Sequence, residues 1–581
     1  MIKLFRYLRH YKLQSILGPL FKLTEACFEL AVPLVMAKII DVGIANNDSG
    51  YIIKMGIILV LLGVLGLTAS LTAQFFAARA SLGFGTELRK DLFHHINTLT
   101  HKEIDKLGSS TLVSRLTVDT NQAQTGVNML LRLFLRSPFI VIGAVIMAFT
   151  VSAKLTLIFL VASPLLALVI FFVMKKTVPM FKSIQKKLDK TTLMVGENIS
   201  GVRVIRAFSR QEDEKEAFEQ NAKELLDLQI KAGKLSALTN PFTMVLVYAA
   251  IIAIIWFGGI NVDVGSITQG ELIALISYMN QILLALLAVA LLITSLTRAQ
   301  ASSIRINEVF DIKPSFTDEG NTPLEDNDSE TAVKFDNVSF SYHLNSEYAL
   351  KDISFTAKRG ETVGIIGGTG CGKSTLVSLI PRFYDVTEGS ISVYGNNVTD
   401  YPFDQLRGRI GFVPQKAELF RGTIGDNLRY RYSSASDGDI LKALEIAQAA
   451  DFVKDKPDGL EHMLVAGGKN LSGGQRQRLT IARALVGDPE ILILDDSASA
   501  LDLATDAALR KALSEQTASM TVFIVSQRVS SIRFADKIIV LDDGRIVGMG
   551  THEELSESCD VYKEICVSQQ YSDESEGDND E

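Results

Sequence analysis

A glycine-rich stretch, GGTGCGKST, follows the strand-like run ETVGIIG and occupies residues 367–375. It matches the spacing G-x-x-x-x-G-K-S, in which backbone N–H groups wrap phosphates, the lysine reaches the terminal phosphates and the serine ligates Mg²⁺. A glycine-rich turn with only a structural role is disfavoured, because a strand-like run precedes the motif and a helical sequence follows it. The residues predicted to hold the nucleotide are Gly367, Gly368, Thr369, Gly370, Cys371, Gly372, Lys373, Ser374 and Thr375.

A second candidate for nucleotide chemistry is ILILDDSASALD, residues 491–502. Four apolar residues lead into Asp495 and Asp496, a pattern typical of a buried strand that delivers a carboxylate to a bound Mg-nucleotide. Mg²⁺ is commonly held by one or two carboxylates together with substrate phosphates. Asp495 is therefore predicted to bind Mg²⁺ alongside Ser374.

Both motifs lie in the second half of the chain, where short β-rich runs alternate with helical segments. Such alternation is typical of an α/β domain. The acidic, turn-rich residues 313–332 are predicted to be a linker, and the ATP-binding domain is predicted over 333–568. Residues 569–581 carry much of the net charge of −8 and are predicted to form an acidic disordered tail.

The first part of the chain, residues 1–312, contains long apolar runs in place of that alternation. Crossing about 30 Å of hydrocarbon takes about 20 apolar residues in a helix. Any one run could be a buried soluble helix, but a series of them predicts an all-α six-span transmembrane domain with long cytoplasmic extensions. The predicted spans lie near residues 14–43, 52–80, 127–150, 154–175, 241–260 and 269–295.

The distribution of Lys and Arg predicts the orientation of these spans. Basic residues are concentrated before the first span and after the second and fourth, whereas residues 44–50 and 258–271 contain none. By the positive-inside rule, both termini and the ATP-binding domain face the cytoplasm. The long loops have few helix breakers, so the second and fourth spans are expected to continue as rods. Residues 101–110 and 205–214 are the candidate segments through which these rods make contacts.

Polar residues within the spans leave two interpretations open. Glu25 and Glu29 lie one turn apart in the first span, and Asn280 and Gln281 lie in the sixth. Charged groups inside a membrane either face a polar cavity or pair with one another.

Elsewhere, Lys and Arg form no basic stripe for nucleic acid. The cysteines Cys27, Cys371, Cys559 and Cys566 match no metal-ligand spacing.

A third motif, LSGGQRQR at residues 471–478, completes a recognisable set. With it, the second half of the chain resembles the ATP-binding cassette (ABC) family, and the spans ahead of it resemble the family's exporter half-transporters. The resemblance covers nearly the whole chain apart from the acidic tail. It implies an ABC exporter-type transmembrane domain fused to an α/β P-loop nucleotide-binding domain. It also implies ATP and Mg²⁺ as ligands, and a dimer in which each ATP lies between one chain's phosphate loop and the other's signature.

The resemblance assigns roles to individual residues. Tyr342 resembles the aromatic residue that stacks on adenine, and Gln415 resembles the glutamine that links Mg²⁺ to the transmembrane contact. Leu471–Gln475 resembles the signature, whose Ser472 and Gly474 act on the partner's ATP. Ser499–Asp502 resembles the loop that crosses the dimer interface. The implied metal ligands are Ser374, Gln415 and Asp495.

Three positions depart from the family pattern. Asp496 stands where a glutamate usually activates water, Gln527 replaces a histidine that touches the γ-phosphate, and Ala466 replaces a glutamate found in many members. Aspartate is one methylene shorter than glutamate, and a misplacement of about 1 Å can lower a rate by about 10²-fold. Glutamine cannot carry the positive charge of an imidazolium group. The two changes predict a site that binds ATP and hydrolyses it slowly.

The sequence therefore predicts a subunit of an ATP-driven exporter for amphipathic, drug-like or lipid-like compounds in the cell (inner or plasma) membrane. The double change resembles the degenerate-site chain of heterodimeric multidrug exporters, in which a second half-transporter supplies the intact glutamate and histidine. A slow homodimeric exporter is one alternative. An ATP-gated regulatory or channel-like membrane protein is the other.

Overall fold

The computed structural model describes residues 1–317, 322–327, 330–342, 347–497, 501–516 and 520–577. The chain divides into two compact units. The helical unit comprises Met1–Thr98 and Leu107–Lys313, and the α/β unit comprises Leu99–Lys106 and Pro314–Glu581.

All the secondary-structure elements from Ile2 to Asp311 are helical. In chain order they are a 3-10 helix at Ile2–Tyr11, α1 (Lys12–Lys38), a π-helical segment at Ile39–Ile44, α2 (Ser49–Thr98), α3 (His101–Leu107), α4 (Ser109–Ser114), a π-helical segment at Arg115–Asp119, α5 (Thr120–Leu133), α6 (Arg136–Val151), α7 (Ala153–Ser200), α8 (Val202–Ala207), α9 (Gln211–Ala237), α10 (Thr239–Asp263) and α11 (Gln269–Asp311).

Each predicted span coincides with helix. Among the described residues, five helical stretches are long and apolar enough to cross a membrane: Ser49–Thr98, Ser109–Val151, Ala153–Ser200, Gln211–Asp263 and Gln269–Asp311. The first predicted span is α1, whose charged side chains make it less apolar than the others. Helices α2 and α7 contain 50 and 48 residues. At 1.5 Å per residue both exceed the thickness of a bilayer, as the sequence predicts.

The glutamates of α1 are paired with cations. Lys22 Nζ lies 2.5 Å from Glu25 Oε2 and donates to Ser70 Oγ at 3.2 Å. Arg136, at the start of α6, donates to Glu29 Oε2 at 2.7 Å. Of the two interpretations left open by the sequence, these contacts favour structural pairing, which lowers the cost of placing carboxylates among apolar helices.

Helices α1 and α2 approach each other closely. A stripe of alanines on α2, Ala69, Ala73, Ala77 and Ala80, is buried. A Cβ atom added to Gly18 of α1 would lie 3.4 Å from the Ala77 amide nitrogen and 3.6 Å from the Ala73 carbonyl oxygen. Small residues of this kind allow helix backbones to come into contact within a membrane.

The α/β unit contains short strands alternating with helices. Its elements are β1 (Thr331–Phe340), β2 (Leu350–Lys358), β3 (Thr362–Gly367), α12 (Lys373–Leu379), β4 (Glu388–Val393), β5 (Asn396–Asn397), α13 (Phe403–Arg409), β6 (Ile410–Val413), β7 (Gly422–Thr423), α14 (Ile424–Leu428), α15 (Asp437–Ile446), α16 (Ala450–Lys454), 3-10 turns at Gly459–Glu461, Ala466–Gly468 and Val529–Ser531, β8 (Met463–Leu464), α17 (Gly473–Leu485), β9 (Ile491–Asp495), α18 (Leu503–Gln516), β10 (Thr521–Val525), β11 (Lys537–Asp542), β12 (Arg545–Gly550), α19 (His552–Ser558) and α20 (Asp560–Gly577).

Two main sheets organise this unit. One has the strand order β2-β1-β4-β5, and the other has the order β12-β11-β3-β10-β9-β6. In the second sheet β11, β3, β10, β9 and β6 are parallel, and β12 is an antiparallel edge strand. One apolar core joins the first sheet, α12 and one face of the second sheet, and the other face is covered by α14–α18. A third core packs α19 and α20 against β3 and β11.

Helix α3 lies within the α/β unit apart from its last residue. The His101 ring stacks on Phe383 with centroids 4.6 Å apart, and Tyr384 OH donates to Asp105 Oδ2 at 2.8 Å. Burial, followed by the charge of Arg407, lowers the pKa of His101. Residues 101–110 were one of the two predicted contact segments, and α3 makes such contacts with the segment that follows α12.

The predicted linker and tail both differ in part from expectation. Within 313–332, Leu324 N–H donates to Gln405 Oε1 at 2.9 Å, and Asp326 pairs with Arg359 and Arg409 at 2.6 and 2.5 Å. Side-chain partners distant in sequence therefore attach the linker's described second half to the α/β unit. At the other end, α20 continues past residue 568 to Gly577, since no helix breaker intervenes. Residues 578–581 lie outside the described residues.

Candidate nucleotide-binding site

The register of the parallel strands brings the chemically active residues to one edge of the sheet. Val525 of β10 pairs with Ile365 of β3 and with Asp495 of β9. The carboxyl ends of these strands are therefore level, and the segments that leave them meet. Ligands of open α/β sheets bind at this carboxyl edge.

The loop between β3 and α12 has backbone conformations that favour glycine. Gly367, Gly370 and Gly372 have φ angles of 156°, 84° and 100°. A Cβ atom on Gly367 would lie 2.1 Å from the Leu541 carbonyl oxygen, and one on Gly372 would lie 2.8 Å from that of Ala349. Side chains at either position would displace backbone, so the loop is held close to its neighbours.

Lys373 is fixed by this loop. Its ammonium donates to the carbonyl oxygens of Gly367 and Gly368 at 2.9 and 2.7 Å, and the residue is only 8% exposed. Cys371 is also buried, with its Sγ 3.7 Å from Lys373 Nζ. The loop therefore holds a positive charge in place where phosphate groups would bind, and Cys371 packs behind it.

Ser374 and Asp495 form the predicted cation-binding pair. Ser374 Oγ donates to Asp495 Oδ1 at 2.8 Å, and Gln415 Nε2 donates to Asp496 Oδ2 at 3.3 Å. Burial raises the pKa of the Asp495 carboxyl and the charge of Asp496 adds to this, while the hydrogen bond from Ser374 acts in the opposite direction. A bound cation would reduce the electrostatic repulsion between these two adjacent carboxyl groups, which are poorly solvated.

Mg²⁺ fits these residues. The described residues contain no group of three or more His, Cys, Asp or Glu side chains able to hold a metal by themselves. Mg²⁺ does not require such a group, because it usually binds through one or two carboxylates, waters and the phosphates of its substrate. Ser374, Asp495 and Gln415 would hold the ion, and when bound it would neutralise charge on the phosphates.

A cavity of about 270 Å³ lies at this edge of the sheet. It is lined by Tyr342, Ala349, Thr369, Gly370, Gly372, Lys373, Ser374, Thr375, Gln415, Asp496, Val525 and Gln527. Most of the predicted site residues are thus brought together around one space. Of the others, Gly367, Gly368, Cys371 and Asp495 support residues that line it. Ala349 and Val525 were not predicted, because an alanine and a valine at strand ends have no distinctive sequence signal.

Tyr342 presents a partly exposed ring to the cavity. The side chain is 39% exposed, its ring packs edge-on against Phe340 and Tyr384, and its hydroxyl lies 2.9 Å from Thr375 Oγ1. An aromatic ring held in this way offers a surface on which a base could stack. Its role in binding adenine stays a prediction.

Asp496 occupies an unusual backbone conformation at the cavity wall. Its φ is 46°, in the left-handed region where Asp is among the residues that occur most readily. Its amide donates to the Val525 carbonyl oxygen at 3.0 Å. Gln527, two residues after β10, lines the same cavity. The two altered positions therefore share one space with Lys373 and Ser374.

The signature residues lie at the start of α17 and do not line this cavity. Ser472 is exposed and caps the helix, since its Oγ accepts from Gln475 N–H at 3.2 Å. Gly474 is in the first turn of the same helix. Ala466 lies in the adjoining 3-10 turn. Ser499 and Ala500 of the predicted interface loop lie outside the described residues, while Asp502 begins α18 by accepting from Thr505 N–H at 2.8 Å.

Family models match both halves of the chain. The model described as the ABC transporter transmembrane region matches residues 15–286, and the model described as ABC transporter matches residues 350–499. The chain is 38% identical to an uncharacterized ABC transporter ATP-binding protein of Mycobacterium tuberculosis over 98% of both chains. It is 29% identical to an ATP-dependent lipid A-core flippase of Vibrio parahaemolyticus, over 97% of this chain and 96% of that one.

These matches, with the site just described, place the chain in the ABC transporter family, and it is an ATP-hydrolysing membrane transporter. A solved structure of a bacterial Atm1-family ABC exporter with ATP bound matches the fold with a TM-score of 0.80 and 23% identity, over 97% of this chain and 98% of that one. The chain therefore has the fold of an ABC exporter. The predicted family and fold class are confirmed.

Proposed function

We propose that this chain is one subunit of a heterodimeric exporter, in which its own ATP site is slow and its signature serves the partner's site. The observation that supports this most directly is the composition of the cavity wall. Lys373, Ser374 and Gln415 are retained there beside Asp495, whereas Asp496 and Gln527 of the same wall depart from the family pattern. The groups that bind Mg-ATP are thus kept, and the groups that accelerate its cleavage are changed.

The geometry explains why the change would slow the chemistry. A general base must come within hydrogen-bond reach of the water that it activates. Asp496 is one methylene shorter than glutamate, and its carboxylate already accepts a hydrogen bond from Gln415. Gln527 can donate to a phosphate oxygen but carries no charge to stabilise the transition state. ATP binding would survive both changes.

Restoring the usual residues is expected to accelerate this site. The double variant Asp496→Glu with Gln527→His should raise the rate of ATP hydrolysis by the full-length chain by roughly 100-fold, since it reverses a misplacement of about 1 Å. Each single variant should raise the rate of ATP hydrolysis by much less than half of the double variant's effect on a logarithmic scale. The reason is that the effects of groups that act together are not additive. Steady-state phosphate release by purified chain in lipid nanodiscs is the measurement.

A matched control is Asp560→Glu with Gln220→His, which makes the same two chemical changes at exposed positions outside the cavity. It should leave the rate unchanged. Brisk hydrolysis by the unmodified chain alone would contradict the proposal and favour a homodimeric exporter. No gain from the double variant would show that Asp496 and Gln527 do not limit the rate.

The proposed cargo is an amphipathic compound, drug-like or lipid-like. Support comes from the exporter fold and from the relatives whose printed name is lipid A-core flippase, since that activity moves an amphipathic molecule. In the helical unit, Asn280 has an exposed side chain that donates only weakly, at 3.3 Å, to the Ile276 carbonyl oxygen of its own helix. A polar group of this kind could contact the head group of such a molecule.

We also propose that both termini and the α/β unit face the cytoplasm. Cysteines introduced at Asn47 and Asp263, within the two Lys- and Arg-free connections, are expected to react with a membrane-impermeant maleimide on intact cells. Cysteines introduced at Lys102 and Lys186 should react only after the membrane is permeabilised. All four native residues are exposed, which makes the pairs comparable. Labelling of the cysteines at positions 102 and 186 on intact cells would contradict the proposed orientation and indicate the opposite one.

A further inference from the structure

The last helix of the chain makes two hydrogen bonds to the segment that contains Gln527. Gln569 of α20 accepts at Oε1 from the Val529 amide at 2.8 Å and donates from Nε2 to the Gln527 carbonyl oxygen at 2.7 Å. One side chain therefore holds both ends of the three-residue segment 527–529. Gln569 stands at the point from which the sequence predicts a disordered tail.

The position of Gln569 is itself fixed by packing. Tyr562 of α20 is fully buried, and its hydroxyl lies 2.8 Å from His552 Nδ1. Tyr562 belongs to an apolar core that also contains Ile532 and Ile538, which follow the 527–529 segment in sequence. Val529 packs against the same core. The helix and the segment are therefore parts of one packed body, and Gln569 projects from a rigid element.

Fixing the backbone of Gln527 also restricts its side chain. The carbonyl oxygen and the side chain of a residue are attached through the same Cα, so a hydrogen bond that holds the backbone fixes the point and direction from which the side chain extends. The Gln527 side chain lines the nucleotide cavity together with Lys373 and Asp496. Groups that contact a reacting phosphate must be held to within about 0.5 Å by their supporting residues. Gln569 is the side chain that supplies this support from α20.

We infer that Gln569 is a positioning residue, which aims Gln527 at the terminal phosphate of ATP bound to this chain. The inference rests on the proposed role of Gln527 in contacting that phosphate, and it does not depend on the heterodimer. It gives the C-terminal helix a part in distinguishing ATP from ADP. A structural role alone would affect stability and leave that distinction unchanged.

The test is the ratio of the affinities for ATP and ADP, measured by equilibrium dialysis of the full-length chain with Mg²⁺. Gln569→Leu is expected to lower the preference for ATP by about three- to tenfold, the effect of losing one or two ordinary hydrogen bonds. Gln569→Glu keeps an acceptor for Val529 but has no donor for Gln527, and should have a similar effect. Ser568→Ala, at an exposed neighbour bonded only within α20 at 2.8 Å, is the matched control and should change nothing.

The variant Gln527→Ala separates the possible outcomes. If the inference holds, Gln527→Ala lowers the ATP preference as Gln569→Leu does, and the double variant is no worse than either, because both remove one interaction. If Gln527→Ala has the effect and both Gln569 variants lack it, Gln569 does not position Gln527 and the inference is overturned. If Gln527→Ala has no effect, the proposed phosphate contact itself fails. Melting temperatures of all variants, measured alongside, show whether a changed ratio comes from misfolding.

Discussion

Ser472→Ala is expected to remove most of the ATP turnover of the assembled transporter, lowering it by roughly 100-fold, the loss typical of one donor to developing transition-state charge. Ser472 is exposed at the N-terminus of α17, where backbone N–H groups and the helix dipole also favour an anion. In the proposed dimer this hydroxyl contacts the γ-phosphate at the partner's fast site. The measurement is the steady-state rate of the complex containing an unmodified partner chain.

The substitution also removes a helix cap, which needs its own control. Ser472 and Gln475 form a capping box, and loss of such a cap costs about 1 kcal/mol of stability. Ser436 and Asp439 form the same arrangement at the start of α15, outside the signature sequence. Ser436→Ala should therefore cost similar stability and leave turnover nearly intact. If Ser472→Ala and Ser436→Ala lowered ATP turnover equally, the loss would be explained by reduced stability and not by a lost phosphate contact.

Asp496→Asn measures how much this chain's own ATP site contributes to the turnover of the complex. Because Asp496 is expected to be a poor base already, this variant should cost far less turnover than Ser472→Ala in the same complex. If the two were equally damaging, this chain's own site would be a working ATPase. The degenerate-site proposal would then be wrong, whereas the family assignment would be unaffected.

Lys373→Ala is expected to weaken ATP binding to this chain's own site by about 10- to 100-fold. Hydrogen bonds that involve a charged group contribute about 1.5–3 kcal/mol, and Lys373 supplies the positive charge held by the loop carbonyls. Transport should decline as well, because an empty site cannot support closure of the dimer. Equilibrium binding of ATP to the full-length chain is the measurement.

Lys351→Ala provides the comparison for this prediction. Lys351 is an exposed lysine of β2 that does not line the cavity, so its loss removes the same charge at another place in the unit. Its ATP affinity should equal that of the unmodified chain. An unchanged affinity in Lys373→Ala would contradict the assignment of residues 367–375 as the phosphate-binding loop.

The sequence predicts most of the nucleotide site because its parts are local. The loop glycines, Lys373 and Ser374 lie within one short stretch, and Asp495 ends an apolar strand that hydrophobicity alone reveals. Their convergence then follows from a general property of parallel sheets, whose carboxyl ends meet at one edge. Five of the six predicted spans were equally predictable, since crossing a bilayer demands a long apolar helix.

Other features depend on contacts between distant parts of the chain, and the partners in these contacts escaped prediction. The ion pair of Glu29 requires Arg136 from another helix, and Asp326 is held by Arg359 and Arg409. Composition correctly describes the end of the chain as acidic, but it contains no sign that Gln569 bonds to Gln527 and Val529. Gln569 bonds to backbone atoms, and because nearly every residue carries the same backbone groups, the sequence does not show which of them a side chain will contact.

The close approach of α1 and α2 has a mechanical consequence for a transporter that must change shape. Gly18 is set against the backbone of Ala73 and Ala77, so at this point no side chain separates the two helices to take up a displacement. Shifting one helix along the other by a turn would bring larger residues into contact with backbone. We therefore expect α1 and α2 to travel as a single lever through the transport cycle, so that the joints which open and close a pathway lie between other helices.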